Sequence, residues 1–366
     1  MIVADQRVVA TFGLPPTALT EVPTPVTLDA DAAQASYRWA ATERMTGLWC
    51  AAAGAGLLQL PAASLDAARA SHTHALRVAL ACEATMAEVT QLLDAAHVPS
   101  WLHKGAAVAQ LDHADPAWRT FADADMYVRR DHLHRAVAVL EAAGFRRAKP
   151  AHRPWWERRF LRGIGMLSPD GVEVDLHVAL VVGWFGERLD HDALVALGTD
   201  TVDLGGVACR AFGPEGRFLA ACYAAELSRG TGLRYLRDLA QLLLVTECDW
   251  RAAARLAGHD EGDAVIARAV RRAVTTLGLD PAHPAATWAA EVQPSPTAAR
   301  ALALAEAGWR DEWRADAKSS MLAYGPVERV RFLAGIAFPS KAVRDERGWT
   351  VRDEARRAAA FLRAGR

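Results

Sequence analysis

Cysteine is scarce in this chain of 366 residues, and the five present, Cys50, Cys82, Cys209, Cys222 and Cys248, are odd in number, widely spaced and never arranged as C-x-x-C. Neither a disulfide framework nor a cysteine zinc site is encoded, and the usage fits a reducing compartment. Long hydrophobic runs are lacking too. Those around Leu48 to Leu58 and Val178 to Phe185 fall well short of the roughly 20 residues needed to span a bilayer. Met1 to Arg7 carries acid before any apolar stretch and no basic segment leads into a hydrophobic one, so a cytoplasmic protein without membrane contact is expected. Charge of one sign is absent: 42 Lys+Arg against 43 Asp+Glu leave −1, which argues against a nucleic-acid partner gripped by its backbone. No G-x-x-x-x-G-K-[ST] or G-x-S-x-G motif occurs, and Gly163-x-Gly165, with no third glycine and no helix after it, reads as a turn. What is abundant is apolar: at 52% hydrophobic and 23% charged, the chain can bury two or three cores of about 150 residues each, which excludes overall disorder.

The texture of the sequence divides it into an N-terminal lead-in and helical segment (1–95), an α/β core (96–185) and a mostly helical C-terminal domain (186–366). Residues 1 to about 34 hold Pro15, Pro16, Pro23 and Pro25 and read as a loose lead-in with one short helix. Helices are expected from Ser36 to Leu58 and from Ser64 to His97, the second opened by Ser64 as N-cap and striped by Val78, Cys82, Met86, Val89 and Leu93. Phe121 to Val128 reads as a strand with Ala122, Ala124, Met126 and Val128 on one face and Asp123, Asp125 and Tyr127 on the other. A helix follows from Asp131 to Ala143, stopped by Gly144, then a strand at Phe145 to Ala148. Val172 to Leu180 alternates most clearly of all, placing Glu173, Asp175 and His177 together. Beyond a hairpin near Val202 to Ala211 the chain turns helical, with one stripe through Leu233, Leu236, Leu239, Ala240 and Leu243 and another through Val265, Ala269, Ala273 and Leu277. The basic stretch from Lys341 onward reads as a solvated amphipathic helix.

Chemistry concentrates in the middle segment. A strand ending Trp101-Leu102-His103 runs into Lys104-Gly105-Ala106 and a helix, whose free N–H groups and positive dipole end suit phosphate, with glycine allowing close backbone approach and Lys104 adding a charge. Two carboxylates at i and i+2 on one strand face, Asp123 and Asp125, supply the hard oxygen ligands that Mg2+ takes while sharing substrate phosphates. Asp175 on a neighbouring strand adds a third carboxylate, able to hold a second metal and to activate an attacking hydroxyl. Two metals about 3.5–4 Å apart would clamp the attacking and leaving oxygens of an in-line displacement at phosphorus. Acid-x-acid pairs alone arise by chance, as at Asp29/Asp31 and Asp190/Asp192; the strand context distinguishes Asp123/Asp125.

The segments LLDAAHVPSWLHKGAAVA (92–109), WRTFADADMYV (118–128), LEAAGF (140–145) and VEVDLH (172–177) resemble the nucleotidyltransferase superfamily, within it the branch of uncharacterised nucleotidyltransferases. The likeness covers about residues 75 to 180 and extends more loosely to LRYLRDLA from Leu233. It implies a small mixed sheet flanked by helices, an NTP donor, Mg2+ or Mn2+ as cofactor and pyrophosphate as leaving group. It implies too that Asp123, Asp125 and Asp175 are the catalytic and metal-binding carboxylates and that Lys104, Gly105 and Ala106 form the phosphate turn. Arg119, shortly before the carboxylate pair, becomes either a triphosphate contact or a structural ion pair. Where the broader superfamily has Gly-Ser or Gly-Gly, this chain has Gly105-Ala106, and the gap to Asp123 is longer. The expected activity is transfer of a nucleoside monophosphate, adenylate first, to a hydroxyl of a small molecule, a sugar or antibiotic, a peptide natural product or a protein. A catalytically silent binding module and a metal-dependent phosphohydrolase or phosphotransferase would use the same residues.

Other residues have two readings. His177 either orients Asp175 or touches substrate, or is a hydrogen-bonded structural histidine. Trp155 and Trp156 either stack on a base or planar acceptor or pack in the core. Arg158 and Arg162 either help neutralise triphosphate or line a solvated strand edge. His72/His74 and His132/His134 fall in expected helices, where i and i+2 diverge, so they are not metal pairs.

Overall fold

The computed structural model describes residues 3–227, 232–259, 261–307, 312–348, 350 and 356. The short helix of the lead-in, α1 (Ala4–Thr11), is packed rather than loose, with Val8, Val9 and Ala10 buried. Strand β1 (Val26–Thr27) precedes α2 (Ala30–Thr42), capped by Asp29, whose side chain accepts from the Ala32 N–H at 2.8 Å. The single helix expected over 36–58 is instead broken: α2 ends at Thr42, Arg44 takes a left-handed φ of 58°, and α3 (Thr46–Gly54) starts anew before β2 (Leu58–Gln59). The long helix α4 (Ala62–Ala95) begins directly after Pro61, so Ser64 lies inside it rather than capping it. Proline suits that entry, because its fixed φ and missing N–H cost nothing ahead of the first turn.

Next come β3 (Ser100–Leu102), α5 (Gly105–Asp112), β4 (Ala124–Val128), α6 (Leu133–Ala142), β5 (Arg146–Arg147), α7 (Pro154–Phe160), β6 (Gly163–Leu167) and β7 (Glu173–His177). Short helices α8 (Trp184–Arg188) and α9 (His191–Ala196) lead to the hairpin β8 (Thr199–Leu204) and β9 (Val207–Phe212), turned by Gly205 and Gly206, both at positive φ as a two-residue hairpin turn demands. The sheet order is β5-β6-β7-β4-β3-β9-β8, with β4–β7 and β3–β9 parallel and the other pairs antiparallel. The architecture is the expected mixed α/β sheet with helical flanks, but the sheet does not close at residue 185: the hairpin, assigned by the sequence to the C-terminal domain, supplies two of its strands. Two further readings are corrected. Gly163-x-Gly165 is strand rather than turn, and Trp155 to Arg159 form helix, started by Pro154 at its first position, rather than strand edge.

Strand alternation decides what each sheet face meets. Leu102, Ala124, Met126, Val128, Val174, Leu176 and Ala211 pack with Cys82, Met86, Val89 and Leu93 of α4 and Leu133, Val137 and Leu140 of α6. Each Val, Leu or Met side chain among them contributes about 1.5–3 kcal/mol on burial. Trp101, Tyr127 and Phe212 point the other way, into the core made by the N-terminal helices and the C-terminal set α10 (Pro214–Leu227), α11 (Leu233–Leu244), α12 (Trp250–Gly258), α13 (Asp263–Ala273), α14 (Pro284–Glu291) and α15 (Pro296–Ala307). Both expected C-terminal stripes are buried. Helices α16 (Glu312–Ala323) and α17 (Pro326–Ala337) form a third cluster with α7, in which Trp156 lies against Phe332 and Gly335 is required because a Cβ there would overlap the indole. Of the basic C-terminal stretch, α18 (Lys341–Arg347) is helical; positions 352, 357, 363 and 366 lie outside the described residues. No helix among the described residues is long and apolar enough to cross a membrane.

The segment ahead of β4 is anchored from far away in sequence. Arg119 donates through Nε to Asp238 Oδ1 at 3.0 Å and through Nη2 to Oδ2 at 3.0 Å, and through Nη1 to the Thr120 carbonyl at 2.7 Å, all buried. Removing the carboxylate strands a buried guanidinium, so Asp238→Asn should lose about 3–5 kcal/mol in urea denaturation. A loss below about 1 kcal/mol would show that the pair is dispensable.

Candidate active site

On the second sheet face the parallel register sets Asp125 opposite Asp175 and Tyr127 opposite His177. The strand pattern that buries Met126 and Val174 thus gathers these acids from two strands. Asp125 is buried. Lys104 Nζ donates to its Oδ1 at 2.8 Å, and His177 Nε2 lies 2.6 Å from the same oxygen and 3.1 Å from Nζ. One ring nitrogen cannot both donate to Asp125 and accept from Lys104; donating to Asp125 leaves the cluster short of one acceptor.

Burial alone would raise the Asp125 carboxyl, but the Lys104 ammonium and the His177 hydrogen bond outweigh it and hold the group well below the usual carboxylate range. Lys104 shows the converse: burial pulls its ammonium down, and Asp125 more than restores it, so its pKa is raised. Asp123 stands at the open rim just before β4, its carboxyl pushed up by surrounding protein and by the Asp125 charge, and pulled down by Lys104. One ligand atom each from Asp125, Asp175 and His177 lie within 4.8 Å of one another, a set able to hold a divalent metal ion. Asp123 is not part of this trio.

The lysine-glycine turn works differently from the expectation. The positive φ, 54°, belongs to Lys104 and not to Gly105. Glycine is needed at 105 because a Cβ there would come within 2.9 Å of Phe121 Cβ, so it admits the loop that carries Asp123 rather than a ligand. The Ala106 side chain is buried in the sheet core, which leaves only its backbone N–H for a phosphate. A non-glycine residue held at φ > 0 stores strain, the kind that collects at functional sites. Arg119 takes the structural one of its two readings, its guanidinium occupied by Asp238.

A cleft of about 580 Å³ opens beside these groups. Its lining includes Lys104, Asp175, His177, Glu173, Lys149 and Arg162. Its floor is bare, since a side chain at Gly165 would come within 3.1 Å of Asp175 Oδ1 and one at Gly163 within 2.9 Å of the Leu176 carbonyl. Trp155, Trp156 and Arg158 do not line it: Trp156 donates from Nε1 to the Phe332 carbonyl at 3.2 Å, and Trp155 and Arg158 are surface residues of α7. Arg162 reaches the cleft but is buried, ion-paired with Glu187 and donating to Tyr324 Oη at 3.1 Å.

Three participants escaped the sequence reading. His103 is buried with both ring nitrogens unpartnered, its ring 5.4 Å from that of His177, and burial followed by the Lys104 charge pushes its imidazole well below the usual range, so it is neutral. Its backbone N–H donates to the Asp125 carbonyl at 3.0 Å. No spacing rule marks it, beyond its place ahead of Lys104. Glu173, noted only as a neighbour of Asp175, and Lys149 also face the cleft, the latter exposed at its edge.

Strand-borne carboxylates beside a lysine-started helix make a layout suited to a divalent cation and a phosphate. Residues 29–259 match the family model described as uncharacterised nucleotidyltransferase, and the chain belongs to that family. Among solved structures, the antibiotic-resistance factor ANT(2'')-Ia is similar at 16% identity and a TM-score of 0.34, covering 50% of this chain and 90% of its own. An antigenic nucleotidyltransferase-like protein from Paracoccidioides brasiliensis is similar at 16% identity and a TM-score of 0.35, covering 59% of this chain and 95% of its own. No curated protein matches the chain.

An unfolded aspartate titrates near about 3.9, and the folded Asp125 lies below that value, so its ionic cluster stabilises the protein above about pH 4 and the contribution fades as acid protonates the unfolded and then the folded carboxyl. Carboxyl 13C NMR should find Asp125 still ionised at about pH 3, and in Lys104→Met its midpoint should rise by about 1–3 units. A wild-type midpoint near 4 would contradict the electrostatics described.

Proposed function

We propose that the protein transfers a nucleoside monophosphate, adenylate first among the candidates, from an NTP to an acceptor hydroxyl with release of pyrophosphate. The observation that supports this most is the register-matched Asp125–Asp175 pair on adjacent parallel strands, beside Lys104 at the start of α5. Asp125 and Asp175, with Asp123 at the rim and His177 within reach, are the residues that would hold Mg2+ or Mn2+. Bound there, the cation would offset phosphate charge and polarise the phosphorus–oxygen bonds.

The chain's own groups supply the rest. Lys104, released from Asp125, offers its ammonium to the α- or β-phosphate, at the N-cap of α5 where the positive end of the helix dipole adds to it. Asp175 faces the cleft and has no hydrogen-bond partner among the described residues, so its oxygens are free to take the proton of the acceptor hydroxyl. The hydroxyl oxygen then bonds to the α-phosphorus as the bond to the β-phosphate oxygen breaks. Neutral His103 is buried beside this cluster, its ring 5.4 Å from that of His177. The acceptor enters through the cleft, whose mixed lining of Glu173, Lys149 and His177 suits a polar, hydroxyl-bearing molecule.

One observation favours a second reading. Lys104 Nζ already sits on the carboxylate a cation would need, as in a silent binding module where lysine replaces the metal. A thermal-shift panel of ATP, GTP, CTP and UTP with and without Mg2+ or Mn2+ separates the two, because only the enzyme requires stabilisation that depends on metal and nucleotide together. With the stabilising nucleotide and candidate acceptors, pyrophosphate release should fall by about 100-fold or more in Asp125→Asn at unchanged circular dichroism. Near-wild-type turnover in that variant would overturn the assignment; orthophosphate as product would indicate a phosphohydrolase.

A further inference from the structure

The third place in the ligand trio falls to a histidine. The strand pattern of the sequence offers three carboxylates, but Asp123 stands at the rim, and the side chains whose ligand atoms come together are Asp125, Asp175 and His177. Among the described residues this is the only such group of three. His177 follows Asp175 by two positions on β7 and therefore shares its face of the sheet. Its ring meets that of His103 edge-on, with centroids 5.4 Å apart and planes at 67°, and the buried His103 lies in turn against Phe212 at 5.8 Å. Packing on one side and Asp125 on the other thus hold the imidazole with Nε2 among the carboxylates.

Lys104 shows what these atoms can receive. Its ammonium lies 2.8 Å from Asp125 Oδ1 and 3.1 Å from His177 Nε2. With Nε2 as acceptor, an oxygen and a nitrogen that each carry a lone pair stand 2.6 Å apart and share one positive charge. A divalent ion drawing on the same two atoms has to displace that ammonium. Ligand chemistry then decides which ion. Mg2+ takes oxygen ligands and dehydrates reluctantly, whereas imidazole nitrogen suits first-row transition ions. A histidine in place of a third carboxylate also withholds the negative charge that a hard cation favours.

We infer that the site selects a first-row transition cation such as Mn2+ over Mg2+, with His177 Nε2 as the selecting ligand and Lys104 as the resident charge that the ion displaces. The inference rests on the nucleotidyltransferase reading above and narrows its choice of cation.

The test is calorimetric titration of the full chain, without nucleotide, with Mn2+ and with Mg2+, joined to electron spin-echo spectroscopy of bound Mn2+, which detects a directly bonded nitrogen. Wild type should bind Mn2+ at least about tenfold more tightly than Mg2+ and show the imidazole nitrogen coupling. His177→Gln, which offers an amide oxygen instead, should lose the coupling and weaken Mn2+ by about tenfold while Mg2+ changes by less than about twofold. Lys104→Met should bind Mn2+ about fivefold or more tightly than wild type, because no resident charge competes for Asp125. Mn2+ bound without nitrogen coupling, or an unchanged ratio of Mn2+ to Mg2+ affinity in His177→Gln, would overturn the role of His177 and leave the carboxylate site standing. Mn2+ binding no tighter in a folded Lys104→Met would overturn the displacement. If neither ion binds wild type, alone or with ATP, the metal-dependent transfer reading itself fails.

Discussion

A carboxylate cannot be buried without a counter-charge, and Asp125 is buried at the centre of the sheet. Much of the surrounding structure answers that requirement. Lys104 reaches it from a strained backbone position and His177 from the neighbouring strand, while the His103 N–H holds the Asp125 backbone carbonyl. The same need recurs one layer out, where Asp112 is held by both Nε and Nη2 of Arg217 at 2.8 Å and Asp238 by Arg119. Each of these three acids is thus matched with a cation from another element, and the two outer matches tie the sheet to the helical region. The helical half therefore exchanges charge with the sheet half in both directions: Arg217 neutralises Asp112, and Asp238 neutralises Arg119.

The sheet follows from ordinary alternation, and those parts were legible. Met126 and Val128 against Asp125 and Tyr127, or Val174 and Leu176 against Asp175 and His177, could be sorted by reading every second residue. Gly144, at φ 93°, stops α6 as a helix terminator should, and Asp123, Asp125, Asp175 and Lys104 converge in one region as their positions suggested. What stayed hidden has identifiable causes. The helix break at Arg44 contains neither glycine nor proline, and the positive φ at the lysine-glycine turn falls on Lys104 next to the glycine that would ordinarily carry it. A strand of Gly163, Ile164, Gly165 and Met166 has no polar face to alternate, so it reads as a turn although it pairs along β7. The tryptophan pair drew attention as a stacking surface, but Pro154 starts a helix there and Trp156 is turned into α17. The partner of Arg119 lies 119 residues away, beyond any local pattern.

The glycines of β6 and the lysine of the turn divide the labour of the site. The bare floor beside Asp175 keeps the cleft open where a side chain would fill it, while Lys104 and His177 hold the Asp125 carboxylate charged. Strain at Lys104 and Arg44 is tolerated because packing elsewhere is deep: Trp49, Leu48, Met86 and Leu93 are wholly buried in the helices that carry or flank those turns.

The long reach of the Arg119–Asp238 pair also bears on how the chain is made. On a ribosome adding about 5–20 residues per second, Arg119 emerges on the order of ten seconds before its carboxylate partner exists. During that interval the strands bearing Asp125 and Asp175 are already synthesised, but the loop leading to them cannot be dehydrated without stranding a guanidinium. The loop ahead of β4 can therefore complete its buried ion pair only once residue 238 has been made.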